Sequence, residues 1–352
     1  MSSKDSLGIG IVGCGMISEF QSQAIGNLPN ARVVAYFDTV ADMAKARAEQ
    51  HGATAYDDYE RMLADPNLDI VSICTPSGSH LDPAVQAAAA GKHVMVEKPV
   101  EITPERVDGI IDACKKSGVV LGAIFPRRFQ EPSRILKAVV ESGRFGTITL
   151  ADVYIKWYRT QAYYDKGGWR GTWKLDGGGA LMNQGIHGID LLQWVMGGID
   201  EVQGMTATLG HERIEVEDTA VASVRFKNGA LGVIEGSTSC WPGAKIRIEI
   251  GGTRGSVVLE DETILAWQFE DEVAEDAEIR AKFGPREGLS GGGASDPSAI
   301  DSEGHRRQFE DFVGAIQAGK TPFCDGNEGR NSVAVITSIY RSVKEKRPVK
   351  VT

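Results

Sequence analysis

The stretch Gly8-Ile9-Gly10-Ile11-Val12-Gly13-Cys14-Gly15-Met16-Ile17-Ser18 decides how the rest of the chain is read. Gly8–Val12 is uninterrupted by charge, as expected of a strand covered on both faces. Gly13, Gly15 and Ser18 then stand at GxGxxG spacing, with Ser in the third place, and a helical pattern begins at Met16. At that spacing the first glycine permits a tight turn and the second lets a pyrophosphate approach the backbone. The third is a helix–sheet packing position, where a small Ser can serve. The helix start, with Met16 and Ile17, offers free N–H groups to an anion. The alternative is a glycine-rich turn in some other nucleotide fold.

Outward from this motif, strand and helix patterns alternate to about residue 125. Arg32–Phe37, Asp69–Cys74, His93–Val96 and Val119–Ala123 read as strands. Val40–Gln50, Leu81–Ala90 and Thr103–Lys116 read as helices, the last with Thr103 as N-cap. Apolar strands separated by helices imply an α/β unit with a parallel sheet. Asp38 ends the second strand. Its carboxylate would accept hydrogen bonds from ribose hydroxyls and repel a 2′-phosphate, and no Arg follows immediately. The expected cofactor is therefore NAD, with NADP less favoured.

After residue 126 the pattern changes. Pro132–Ser142 is helical, Thr147–Trp157 alternates as a strand does, and a helix is expected near Leu181–Met196. Val202–Leu209, Thr219–Phe226, Leu231–Thr238, Lys245–Ile250, Ser256–Leu259 and Ile264–Phe269 then follow without helices, joined by turns such as Asn228–Gly229. This predicts a large open, mostly antiparallel sheet. Glu270–Ser302 is acidic, then Gly-rich around Gly291–Asp301, and lacks periodicity, so a loop or lid is expected. Helices near Glu303–Ala318 and Glu328–Lys346 close the chain. The expected organisation is a Rossmann dinucleotide-binding domain over 1–125 and an α+β substrate-binding and oligomerisation domain over 126–352.

Composition removes several classes. The 352 residues carry a formal net charge of −10, which argues against nucleic acid as partner. No apolar stretch approaches the roughly 18 residues of a membrane span, so no membrane role is expected. The first residues lack a signal-peptide pattern. Five scattered cysteines without CxxC or zinc spacing suit free thiols in a reducing cytoplasm, with no metal. Glycine is in excess, at 42 residues, and is expected to cluster around one cofactor–substrate cleft.

Two further motifs carry chemistry. Glu97-Lys98-Pro99 closes the strand His93–Val96. Ligands of open parallel sheets bind at strand carboxyl ends, so Lys98 either points into a site or opens an exposed loop. In Gly177-Gly178-Gly179-Ala180-Leu181-Met182-Asn183-Gln184-Gly185-Ile186-His187-Gly188-Ile189-Asp190, helical spacing would place Asn183, His187 and Asp190 on one face. A lone His is more often structural, but one flanked by Asn and Asp suits acid–base work near neutrality.

The ordered set GIVGCGMIS, Asp38, CTPSGSH, GKHVMVEKP, PRRF, GGGALMNQGIHGIDLLQW and PFCDGNEGRNSVAVITSIYRS resembles the Gfo/Idh/MocA oxidoreductases over nearly the whole chain. The resemblance implies an NAD-dependent dehydrogenase acting on a secondary alcohol of a sugar, sugar derivative or cyclitol. The alternatives are a nucleotide-sugar 3-dehydrogenase, an inositol dehydrogenase, or a non-catalytic NAD-binding regulator. It implies that Lys98 hydrogen-bonds the reacting hydroxyl and that His187 is the acid–base group. Thr75, Pro76 and His80 would form a loop against the nicotinamide, with Glu97 also near the cofactor. Arg128 would contact substrate. Asn183 stands where inositol dehydrogenases carry Asp. The segment Tyr163–Trp173 looks like the sugar-acting branch, with Trp169 and Arg170 offering an aromatic face and a hydrogen-bond donor; core packing is the alternative. The family also commonly forms a homodimer or homotetramer through the second domain's sheet.

Overall fold

In the computed structural model, which describes residues 6–166, 168–285 and 302–352, six strands form one parallel sheet. They are β1 (Leu7–Val12), β2 (Ala31–Phe37), β3 (Thr54–Tyr56), β4 (Ile70–Ile73), β5 (His93–Val96) and β6 (Leu121–Ala123). Their order is β3-β2-β1-β4-β5-β6. The direction of winding reverses between β1 and β4. That switch point is where open α/β sheets bind ligands, outside the strand carboxyl ends. β1 is buried along its whole length, which explains its apolar run. The helix Pro104–Ser117 is capped as its sequence predicts. Thr103 accepts from the Arg106 N–H at 3.4 Å, Pro104 opens the first turn, and Gly118 ends the helix in the left-handed region.

Taking the described residues, the chain divides into two compact units. One is drawn from Met1–Pro126 and Asp301–Val333, the other from Arg127–Ile300 and Ala334–Thr352. A single boundary at 125/126 therefore misassigns the helix Glu303–Ala318, which belongs with the parallel sheet. The reason lies in its apolar stripe: Phe309, Phe312 and Val313 join Ile9, Ile11, Ile25 and Ile124 in one buried core cluster. Gln308 fastens the same helix by accepting from the Phe125 N–H at 2.9 Å.

The second unit holds an eight-stranded sheet. Its strands are β7 (Ile148–Lys156), β8 (Ile199–Ala207), β9 (Thr219–Phe226), β10 (Leu231–Ser237), β11 (Arg247–Gly252), β12 (Gly255–Glu260), β13 (Thr263–Phe269) and β14 (Val349–Lys350). The order is β13-β12-β11-β7-β10-β9-β8-β14. β7 and β10 run parallel, and the other neighbours pair antiparallel. Burial alternates along β9, with Ala220, Ala222, Val224 and Phe226 buried and Val221, Ser223 and Arg225 exposed. One face is packed and the other open. On the packed face lies the helix Ile186–Val195, so close to β7 that a Cβ at Gly188 would press on Ile155 and Val153.

Two expectations change here. The helix near Leu181–Met196 begins one residue earlier, as a π-helical turn over Ala180–Gly185, before the α-helix Ile186–Val195. Within the expected loop Glu270–Ser302, Ala274–Phe283 is a helix. Asp276 secures its start, accepting from the Val273 N–H at 2.8 Å and the Trp267 indole at 2.6 Å. That polar helix lacks an apolar stripe, which hid it from periodicity. The Gly291–Asp301 stretch lies outside the described residues.

Candidate active site

The dinucleotide motif takes the shape its spacing implies. Gly13 has φ +92°, and a Cβ there would strike the Cys74 carbonyl. Gly15 is different: its Cβ would project into open space at the start of the helix Met16–Gly26. An approach to that backbone is open to a phosphate, beside the first-turn residues Met16 and Ile17. Ser18 is fully buried and donates its hydroxyl to the Gly15 carbonyl at 2.6 Å, the packing role expected of the third position. Asp38 is held in place by two backbone donors. Its Oδ2 accepts from the Cys14 N–H at 2.7 Å and its Oδ1 from the Val40 N–H at 2.8 Å. A carboxylate has about four lone-pair sites, so acceptor capacity remains for hydroxyls. The open cradle, the helix N–H groups and this acceptor together fit a dinucleotide.

At the ends of β4 and β5 the structure refines three assignments. Thr75 and Pro76 are half-buried on the loop after β4. His80 is buried. Its Nε2 lies 2.9 Å from the Thr75 carbonyl and its Nδ1 2.9 Å from the Pro99 carbonyl. His80 thus braces that loop against the Lys98–Pro99 turn, whose peptide bond is cis; the ring itself is not a contact surface. Burial pushes its pKa below the usual imidazole value. Glu97 is also withdrawn. It accepts from the Gln21 amide at 2.7 Å and from the Lys98 N–H at 3.1 Å, and Gln21 in turn accepts from Ser72 at 2.5 Å. Burial raises the Glu97 carboxyl, with the Lys98 charge pulling it back. This carboxyl fixes the Lys98 backbone from behind; a direct cofactor contact is not its role. Lys98 itself is half-buried.

In the second unit, every residue from Asp176 to Gln193 is buried except Asn183 and His187. Two half-exposed polar side chains thus emerge four residues apart from a helix that is otherwise core. The π-helical turn that holds Asn183 is a departure frequent at functional sites. Asn183 donates its amide to Asp176 Oδ1 at 2.7 Å, and Asp176 Oδ2 accepts from the Gly171 N–H at 2.8 Å. One carboxylate so ties Asn183 to the aromatic segment. In that segment the Arg170 guanidinium lies 4.7 Å from the Tyr163 ring centre and 4.8 Å from that of Trp169. Arg159 lies over the Tyr163 ring as well, at 5.7 Å. The Tyr163 hydroxyl accepts from the Gln184 amide at 2.9 Å.

Arg128 overturns its expectation. It is completely buried, and its guanidinium pairs with both oxygens of Asp190. Asp190 therefore serves Arg128 as counter-charge. The pairing joins residues 62 positions apart, which helical spacing cannot show.

Sequence reasoning missed Asp176, Glu217 and Tyr340. Glu217 is buried and accepts from the Gly179 and Leu181 N–H groups and from the Tyr340 hydroxyl. Burial pushes its carboxyl up to about 7, against the pull of these donors. A signal was present: Glu215-Val216-Glu217-Asp218 places three carboxylates around one valine. The carboxylates of such a run that become buried need donors. Here Glu215 takes the Trp173 N–H and Asp218 takes Leu209, Gly210 and His211.

Comparison with known proteins agrees with this geometry. Residues 7–125 match the model of the oxidoreductase family with an NAD-binding Rossmann fold. Residues 133–258 match that of the GFO/IDH/MocA C-terminal domain. The chain belongs to the GFO/IDH/MocA family of NAD-binding oxidoreductases. It is 33% identical to the WlbA dehydrogenase from Bordetella pertussis, solved in complex with NADH and UDP-GlcNAcA, with a TM-score of 0.89 and 99% of each chain covered. It is 27% identical to myo-inositol 2-dehydrogenase of Thermotoga maritima, over 97% of this chain and 98% of that one. It is 29% identical to D-glucoside 3-dehydrogenase of Escherichia coli, over 64% and 68%. Among the described residues, no helix is long and apolar enough to cross a membrane.

Proposed function

We propose that this enzyme oxidises a secondary alcohol of a sugar or sugar derivative, with His187 as proton acceptor and Lys98 as the stabiliser of the developing alkoxide. The observation that carries this is the selective exposure of Asn183 and His187 on an otherwise buried helix. When bound, NAD⁺ accepts the hydride. Gly13, Gly15 and the first turn at Met16 and Ile17 hold its pyrophosphate, and Asp38 its adenosine ribose. His187 draws the hydroxyl proton as the C–H bond breaks. The Lys98 ammonium donates to the oxygen as charge develops, an interaction stronger in the transition state than in the ground state. Asp176 holds the Asn183 amide, and Trp169 offers an apolar face to the ring of a sugar. Free cysteines suit a cytoplasmic enzyme. Exposed Leu150, Val221, Leu231 and Met205 on the open sheet face suit a homodimer or homotetramer contact.

A second reading narrows the substrate to a nucleotide-linked sugar bearing a carboxylate. The likeness to WlbA over 99% of each chain favours it, as do two guanidiniums, Arg159 and Arg170, that both lie near the Tyr163 ring. A panel of free sugars, glycosides, cyclitols, UDP-sugars and UDP-sugar acids with NAD⁺, followed by NADH absorbance, tests both. Turnover with UDP-sugar acids alone selects the second reading, and no turnover with any polyol sinks both.

A further inference from the structure

Behind the Asn183/His187 helix, one residue receives three successive N–H groups at its start. The first N–H groups of a helix have no partner within it. Here Glu217 Oε2 accepts from Gly179 at 3.0 Å, its backbone carbonyl from Ala180 at 3.0 Å, and its Oε1 from Leu181 at 2.9 Å. The Tyr340 hydroxyl adds a fourth donor, to Oε1 at 2.8 Å. The triglycine makes room for this. A Cβ on Gly179 would land on the Glu217 carbonyl oxygen, and one on Gly178 on the Tyr340 hydroxyl. A carboxylate at a helix start is also favoured by the helix dipole.

We propose that Glu217, braced by Tyr340, is a positioning residue for the reaction: it pins the start of the π-helical turn Ala180–Gly185 and so sets the directions in which Asn183 and His187 leave the helix. This rests on the reading of His187 as proton acceptor. A π turn holds one residue more than an α turn between bonded groups. Released at its start, the segment can close as ordinary α-helix. That slip of one residue rotates side chains before the slip by about 100° relative to those after it. Asn183 lies within the π turn and His187 beyond it, so their relative direction depends on this anchor.

The test uses the full-length protein with NAD⁺ and ¹³C-histidine labelling. The chain has six histidines, and His187→Ala assigns the His187 ring signal by its loss. In Glu217→Gln the His187 signal is expected to move, while those of His51, His80 and His93 keep their positions. An unmoved His187 signal in folded Glu217→Gln overturns the proposal, even if thermal stability falls, because a merely structural role predicts that outcome. If Glu217→Gln does not fold, Tyr340→Phe decides in its place by the same criterion, since it removes one donor and keeps the ring. Retained turnover in His187→Ala sinks the proton-acceptor reading instead, and does so independently of the signal shifts.

Discussion

Arg128 and Asp190 form a closed bidentate pair, with Nε to Oδ2 at 2.7 Å and Nη2 to Oδ1 at 2.6 Å, and both side chains are at most 1% exposed. The Trp194 ring lies 5.5 Å from the guanidinium carbon. Removing one partner of such a pair leaves an uncompensated buried charge, which costs about 3–5 kcal/mol. Arg128→Ala is therefore expected to lower the urea midpoint sharply. The double change Arg128→Met with Asp190→Leu should recover much of that loss. Unchanged stability together with a raised KM for substrate would restore Arg128 as a substrate contact.

Lys98→Ala and His187→Ala are each expected to reduce turnover by roughly 10²-fold or more, the usual scale for losing an acid–base or charge-stabilising group. NAD⁺ affinity, read by quenching of protein fluorescence, should persist in His187→Ala. Near-wild-type turnover in both variants removes the proposed roles.

Asp38 braces the glycine turn through the Cys14 N–H, and the proposed function also gives this carboxylate the discrimination at the ribose. Asp38→Ala is expected to narrow the ratio of kcat/KM for NAD⁺ over NADP⁺, and also to weaken NAD⁺. Asp38→Asn keeps an acceptor for the Cys14 N–H, so it should separate the two effects. A wild type that already prefers NADP⁺ contradicts this account.

Asp276 gives a pH-dependent contribution to stability. Its hydrogen bonds from the Arg144 guanidinium hold its carboxyl well below the usual range. A depressed folded pKa means the stabilisation is complete above the unfolded value, about 3.9, and is lost as pH falls toward the folded one. Asp276→Asn should therefore be less stable than wild type at pH 7 in urea titrations. The gap should shrink once pH drops below about 4. A gap independent of pH would show that the charge on Asp276 is not the source.

Leu150 on β7 and Leu231 on β10 are register partners, exposed at 53% and 46%. If that sheet face joins copies of the chain, Leu231→Glu should shift native mass spectra toward monomer without altering the circular dichroism. An unchanged assembly would move the contact elsewhere.

The parallel sheet was legible because β1 is buried throughout and the glycine spacing follows it at once; local pattern and local conformation coincide there. Gly13, Gly15 and Ser18 could be picked out on the same ground, since a tight turn and a helix start are short-range features. Alternation along β7 to β13 likewise announced an open sheet, because one face is packed and the other is not. The polar helix Ala274–Phe283 escaped for the converse reason: it lacks an apolar stripe, and Asp276 holds it through Arg144, 132 positions away.

What side chains do once the chain closes was another matter. Arg128 is a plausible substrate contact until Asp190 reaches it, and Glu97 and His80 are plausible cofactor contacts until burial turns them to Lys98, Gln21 and backbone carbonyls. The glycines Gly177–Gly179 point to a site by their number, yet their neighbours are Glu217 and Tyr340, 38 and more residues away. Periodicity along the chain carries the secondary structure and the motif positions, because these depend on φ, ψ and a few neighbours. Which charges neutralise each other, and which polar groups are left facing outward, depends on contacts between residues far apart in the chain, and only the folded arrangement sets those distances.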